Sequence, residues 1–487
     1  MKVHTEDRGI QKELNSFFSF TVPGHEYMPS FKSRMWDGNI NLYSIRSEEL
    51  YIGLYDHLVK FCADRQYPLS GYSPKPVREV SDALISKFMD NHLEPYANGL
   101  RIHAREHQVD AVRHSINNDR TLLLSPTGSG KSLMIYALMR YYNDILESDR
   151  KILIIVPTTS LVSQMYSDFS DYSSKDDNWN VSQECHKVTA GKDKLDPNKR
   201  IVVSTWQSIY KMPKKYFDNF GAVFGDECHL FKAKSLTTIM TKLENCKYRI
   251  GTTGTLDGTQ CHKLVIEGLF GSVYKVTTTN ELIEKEVLSD FEIDCIVLKH
   301  SEDFKKKYKR VTYQEEIDAI VGYDKRNEFI ANLTKSLKGN SLVLFQYVEK
   351  HGKPLYDLIS ERCPEKDIYF IHGGTDSDLR EKIRKLMERK DNAVIVASYG
   401  TFSTGISIRK LHNIVFASPS KSRIRVLQSI GRQLRKSEHK DTARLYDISD
   451  DICWKTYKNH TYRHFEERLK IYQTENFSHR TIYINME

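Results

Sequence analysis

The run "TLLLSPTGSGKSLMIYALMRYY", residues 121 to 142, constrains this chain more than any other stretch. "TLLL" is short, continuous and apolar, as a strand covered on both faces must be. A glycine-rich turn follows, then an apolar helical stretch, which is the opening of a parallel α/β sheet. Gly128 and Gly130 let backbone N–H groups turn inward, and the helix that follows through "LMIYALMRYY" adds its positive end. Such a turn suits a phosphate chain. Ser125, Pro126, Thr127, Gly128, Ser129, Gly130, Lys131 and Ser132 are the candidate nucleotide cradle, although Ser125 stands where these loops usually begin with glycine. Lys131 is placed to reach the β- and γ-phosphates of ATP and the Ser132 hydroxyl to ligate Mg²⁺.

The same texture repeats along the chain. "TLLLS", "KILIIVP", "RIVVST", "AVFG" and "YRIGTT" form one series of buried-strand candidates. "SLVLF", "IYFIH", "AVIVAS", "NIVFAS" and "ARLYDI" form a second, with helical stretches such as "DLREKIRKLMER" between them. The expectation is an α/β protein with two tandem parallel-sheet lobes, residues 95–285 and 290–450. A small α+β N-terminal domain, 1–85, and a short helical tail, 451–487, flank them.

"AVFGDECHL", 222 to 230, runs a strand straight into two carboxylates. Beside a phosphate loop, Asp226 can hold the Mg²⁺ and Glu227 can deprotonate the attacking water, with His229 close enough to relay the state of the site. Strand ends are where ligands of parallel sheets sit.

These motifs, in this order, resemble the superfamily-two helicases and translocases, whose two RecA-like lobes bracket ATP. By that resemblance Gln108 in "REHQVDAV" reads adenine, and "PTTSLVSQ" and "STWQS" contact a nucleic-acid strand through Thr158 and Thr205. Helix capping is an equal reading for Thr158 and Thr159. "TTGT", 252 to 255, links hydrolysis to lobe movement, and "YGTFSTGIS" brings Gly405 to the nucleotide, with Ser407 replacing an acidic residue many relatives carry. "QSIGRQLR" places Gln428, Arg432 and Arg435 on one helix face, where the arginines meet charge on the γ-phosphate.

"FFSF", "WDGNINL", "KILIIVPTTSL", "GDECHL", "TYQEEI" and "ASYGTFSTGIS" narrow the resemblance to the recombination helicases of T-even bacteriophages. It implies an ATP-driven remodeller of branched DNA: junction branch migration, fork regression and strand annealing, serving recombination, repair and replication. An RNA helicase, or a junction-binding protein with weak ATPase, are the alternatives. The implied partners are branched or double-stranded DNA, single-stranded DNA and a single-stranded-DNA-binding protein, for a monomer in the host cytoplasm.

In the N-terminal region, Asp37-Gly38 between alternating runs signals a hairpin. Lys32, Arg34 and Trp36 would then share a strand face suited to phosphate contact and stacking, or Trp36 would fill a small core. "FKKKYKRVTYQEE", 304 to 316, is a solvated basic loop or a nucleic-acid contact. The net charge of +8 permits a polyanionic partner. Eight cysteines without a C-x-x-C pair read as reduced thiols, and no segment is apolar for long enough to span a membrane.

Overall fold

The computed structural model describes residues 1–486 except 23, 72–78, 98, 189–192, 232, 257–261, 286, 288–289, 404–407, 409, 420–441 and 475–476. The chain divides into two compact units, Met1–Ser125 with Gly130–Val276, and Thr277–Glu487 with the short turn Pro126–Ser129.

In the first unit seven strands form one parallel sheet: β1 (Arg120–Leu124), β2 (Lys151–Val156), β3 (Cys185–Lys187), β4 (Ile201–Thr205), β5 (Phe220–Gly225), β6 (Tyr248–Thr253) and β7 (Val273–Lys275). Their order is β7-β1-β6-β5-β2-β4-β3. Alternate residues feed opposite faces, so Leu122, Leu153, Ile155 and Val223 join one core cluster while Leu123, Ile152, Ile154 and Phe224 join another. The helices that matter for the site are α1 (Glu106–Asn118), α2 (Lys131–Ile145), α3 (Thr159–Tyr172) and α4 (Lys263–Phe270).

The second unit repeats the plan with β8 (Asp290–His300), β9 (Ser341–Phe345), β10 (Asp367–Ile371), β11 (Ala393–Ser398), β12 (Asn413–Phe416), β13 (Thr442–Asp451) and β14 (Ser478–Met486). The order is β10-β11-β9-β12-β13-β8-β14, again parallel throughout. Two parallel α/β lobes are therefore what the chain builds. Its tail carries the expected helix, α5 (His460–Thr474), and then adds the edge strand β14 beside β8.

The N-terminal segment continues the core of the first unit. Leu14, Phe18, Tyr43, Leu54, Leu58 and Phe61 belong to the same buried cluster as Leu122 and Val223. The contact with α4 is made backbone to backbone: a Cβ on Gly53 would stand 2.1 Å from the Glu267 carbonyl oxygen. His57 Nε2 lies 2.5 Å from Glu267 Oε2, and Phe20 stacks on His262 at 3.8 Å. On its other side α4 ends in Phe270, whose ring fills the space that Cβ atoms on Gly225 and Gly251 would need.

One sequence expectation fails here. Lys32, Arg34 and Trp36 do not alternate along a strand. Strands Ser19–Thr21 and Asn39–Asn41 do pair, but residues 22–38 join them. Pro29 starts a short helix, Pro29–Lys32, as its fixed φ favours. Arg34 is left-handed, at φ 57°, and the Ser30 carbonyl accepts the N–H groups of both Met35 and Trp36. Local turns thus take the hydrogen bonds that a strand would have used.

Candidate active site

β1 ends at the phosphate loop, tied to its neighbour by Ser125 N–H donating to the Thr253 carbonyl at 2.8 Å. Gly128 and Gly130 both have φ 89°, in the region open to glycine. At Gly130 a second constraint applies, since a Cβ would sit 2.1 Å from Gln108 Nε2. Gln108 is buried, and its Oε1 accepts the Arg105 N–H at 2.9 Å, closing a capping box at the start of α1. As placed, its amide lies beside the loop at Gly130. α2 then opens at Lys131 with its N-terminus toward the loop and most of its length buried.

β5 ends at Gly225, and the Asp226 N–H donates to the Ile155 carbonyl of β2 at 2.9 Å. Asp226 Oδ1 accepts from the Glu227 N–H at 2.9 Å and from the Thr252 hydroxyl at 2.7 Å. Burial, and next the Glu227 charge, push the Asp226 carboxyl up from its usual 3.8 to about 6, with Lys131 pulling the other way. Asp226 and the Ser132 hydroxyl are hard oxygen donors, so the pair fits Mg²⁺.

Glu227 is held left-handed at φ 50° and ψ 50°, a strained setting for a side chain of this size. That turn directs its carboxylate to Lys131, with Oε1 at 2.9 Å from Nζ. Lys131 Nζ also donates to the Ser125 carbonyl at 3.3 Å. On the other oxygen, Oε2, His229 Nδ1 approaches to 3.5 Å. The Thr253 hydroxyl donates to the Thr255 carbonyl at 2.7 Å and lies 2.7 Å from His229 Nδ1. Since the hydroxyl proton is spent on Thr255, the Nδ1 proton is assigned to histidine by the network. Burial lowers the His229 pKa, so the imidazole is neutral. Lys131, Asp226, Glu227, His229, Thr252 and Thr253 thus form one connected cluster at the carboxyl ends of β1, β5 and β6.

The structure places the other sequence candidates differently. Thr158 caps α3, its Oγ1 accepting the Leu161 N–H at 3.3 Å, which is the capping reading. Thr205 is buried with its hydroxyl 3.0 Å from Ser208 Oγ. Gln207 Nε2 donates to the Pro157 carbonyl at 3.2 Å and so ties the two motifs together. Lys32 and Arg34 are exposed, whereas Trp36 is half-buried with its indole N–H on the Asn39 carbonyl at 2.6 Å. Gly405, Gln428, Arg432 and Arg435 lie outside the described residues.

Sequence reading missed Thr252 as the hydroxyl that holds Asp226; the signal was the threonine pair closing β6, the strand between β1 and β5. It also left the basic run undecided. In the second unit Phe304, in the helix Glu302–Lys307, stacks on His300 at 4.5 Å and packs on Tyr323 at 4.9 Å. His300 Nε2 and Arg326 Nε both lie 2.9 Å from buried Asp450. This anchorage leaves Lys306, Lys307, Lys309 and Arg310 exposed, without an ion pair among the described residues.

A glycine-rich loop opening a helix, a paired aspartate and glutamate at a neighbouring strand end, and a second parallel lobe define the class: a two-lobed, ATP-driven helicase. Family models agree, with "Type III restriction enzyme, res subunit" matching residues 101–258, "Helicase conserved C-terminal domain" 324–437 and "DNA helicase UvsW, N-terminal" 1–70. The chain is 37% identical over 96% of its length to the ATP-dependent DNA helicase uvsW of Enterobacteria phage T4, covering 94% of that protein. It belongs to the UvsW family of ATP-dependent DNA helicases. The crystal structure of T4 UvsW matches over 99% of this chain and 97% of that one, at 34% identity and TM-score 0.51. A more distant relative is the DNA 3'-5' translocase XPB2 of Sulfurisphaera tokodaii, 24% identical over 69% of this chain and 80% of that protein. Among the described residues no helix is long and apolar enough to cross a membrane.

Proposed function

We propose that the chain uses ATP to remodel branched DNA, migrating junctions, regressing forks and annealing strands in recombination, repair and replication. One observation carries this reading. The N-terminal segment is built into the core of the ATP-binding unit through α4, and α4 also lies under the strand ends that present Asp226 and Thr252. A segment that selects DNA geometry is thereby joined stiffly to the hydrolysis site. At a four-way junction each broken base pair is matched by one formed, so stacking of roughly 1.4 kcal/mol per step nearly cancels and ATP supplies direction.

Ser132 and Asp226 would hold the Mg²⁺, which neutralises charge on the phosphates. Lys131 leaves Glu227 for the β- and γ-phosphates, which frees the Glu227 carboxylate to take a proton from the attacking water. His229, neutral and fixed by Thr253, reports that exchange to β6. Gln108 reads adenine if its amide turns from the loop, and Gly405, Gln428, Arg432 and Arg435 are assigned to the nucleotide by the helicase motifs in which they stand. DNA phosphates are met by Lys32 and Arg34, by backbone N–H groups around Thr158 and Thr205, and by Lys306, Lys307, Lys309 and Arg310. The working form is a monomer in the host cytoplasm, acting on branched, double-stranded and single-stranded DNA beside a single-stranded-DNA-binding protein.

The test is ATP-dependent processing of a synthetic four-way junction, with Glu227→Gln as control and a structured RNA as competitor. Processing by the native chain alone is the expected result. A chain whose ATPase responds to DNA but which leaves the junction untouched would overturn the proposal.

A further inference from the structure

Residues 22–38 of the N-terminal segment carry the two most exposed large apolar side chains among those described, Met35 at 81% and Tyr27 at 76%. Met28 beside them is exposed too. Apolar groups are often exposed where a chain frays, but this connection is braced. The His25 ring meets Phe31 edge-on at 4.6 Å, and its Nδ1 lies 3.0 Å from the Val22 carbonyl oxygen. Gly38, at φ 84°, makes room for that imidazole: a Cβ there would stand 2.4 Å from it. Ser30 O gathers the Met35 and Trp36 N–H groups at 3.0 and 3.2 Å, and Asp37 Oδ1 accepts the Asn39 N–H at 2.9 Å. Tyr27 and Met35 therefore stand on a fixed base.

The charges around them are asymmetric. Glu26 lies 3.3 Å from His25 Nδ1, and Asp37 is taken up by Asn39. Lys32 and Arg34 are exposed and have no carboxylate partner among the described residues. An apolar protein groove would give two free cations nothing to do. A nucleic-acid end uses all four groups, because a base offers a flat π-face to an aromatic ring and a thioether while its phosphates take the cations.

We propose that this tip is a base-stacking site, in which Tyr27 and Met35 take the face of an unpaired or terminal nucleobase where a duplex opens. Lys32 and Arg34 hold the flanking phosphates. The inference rests on the reading that the N-terminal segment selects branched DNA, and narrows that selection to two side chains. A continuous helix hides its base faces and offers the tip nothing beyond phosphate.

The experiment uses the full chain and three variants: Tyr27→Ala with Met35→Ala, Lys32→Gln with Arg34→Gln, and Tyr27→Phe. All alter exposed side chains, and unchanged melting checks their folding. Affinity for a four-way junction and for a continuous duplex of equal length is measured by fluorescence anisotropy across a salt series. Loss of Tyr27 and Met35 should weaken junction binding by roughly 5- to 150-fold, the range base–aromatic stacking commands. Duplex affinity and the salt slope should stay as they were, and Tyr27→Phe should bind the junction normally. Loss of Lys32 and Arg34 should lower the slope by about 2 on both DNAs. If only the charge variant has an effect, the stacking site is wrong and the DNA-selecting segment stands. If neither has an effect, both are wrong, and the tip belongs to a protein partner. Equal losses on junction and duplex also overturn the stacking site.

Discussion

Replacing Asp226 by Asn should stabilise the folded protein while abolishing its ATPase. The amide keeps the size of the side chain and an oxygen for the Glu227 N–H and Thr252 hydroxyl, but removes the charge. The Asp226 carboxyl is raised from 3.8 to about 6 by burial and by Glu227. The folded state therefore binds this proton more tightly than the unfolded chain does, and stability falls as pH climbs from 3.8 through about 6. Above that window the ionised form costs about 3 kcal/mol, from about two pKa units at about 1.4 kcal/mol each. Asp226→Asn escapes that cost. Calorimetry of the nucleotide-free protein in chelator at pH 8 should show the first unit melting on the order of 5–10 °C higher in the variant. At pH 5 the difference should be about half as large, because the native carboxyl is then mostly protonated in the folded state and only partly so in the unfolded one. Mg²⁺ with nucleotide should close the gap at pH 8 by setting a further cation against the native carboxylate. A gain of equal size at both pH values, or none at pH 8, would refute the electrostatic account of the site.

Lys131→Ala should eliminate DNA-stimulated ATPase and leave DNA binding in place, and it should lower stability by about 3 kcal/mol as buried Asp226 and half-buried Glu227 lose their cation; a melt and a turnover assay check both. Changing Lys306, Lys307, Lys309 and Arg310 together to Gln should reduce the salt slope of duplex binding by as much as about 3.6, and an unchanged slope would make the run a solvated face. The Glu267 hydrogen bond raises the His57 pKa above 6.5, so the stability it contributes is complete below 6.5 and disappears as pH rises through the folded-state value. Native protein should accordingly outlast His57→Ala in melts at pH 6 and lose that advantage in alkali. Gly53→Ala should cost about 1–3 kcal/mol, since its methyl meets the Glu267 carbonyl, and a melt as high as the native one would deny the close packing.

Runs such as "KILIIV" and "AVIVAS" gave away the sheets because a strand covered on both faces is almost continuously apolar, and six residues rich in β-branched side chains are too few for a buried helix. The phosphate loop and Asp226-Glu227 were readable for a related reason: their chemistry fixes residue types at fixed spacing. What escaped was decided by tertiary packing. Cys185–Lys187 and Val273–Lys275 are three residues each and become strands only because a neighbour offers its edge. Thr252 looks like any strand-end threonine until β6 is known to lie between β1 and β5. At Asp37-Gly38 the turn signal was real, but the partner of Asn39–Asn41 lies across residues 22–38, where Pro29 had already begun a helix. The polar, aromatic sequence of β14 alternates because one of its faces meets solvent, a pattern that tertiary context alone separates from a loop.

That last strand has a bearing on solubility. β8 is eleven residues long, and from Glu292 to His300 its outer rim of amide and carbonyl groups is occupied by β14. Stripped of residues 478–486, β8 would offer a long straight template to any other copy of the chain, the geometry from which aggregates grow. β14 takes over the border with charge and bulk in place: Arg480 grips Asp294 at 2.5 Å, and Lys299 covers the Tyr483 ring at 4.6 Å. Residues 478–486 thus occupy the β8 rim that another copy of the chain could otherwise pair with.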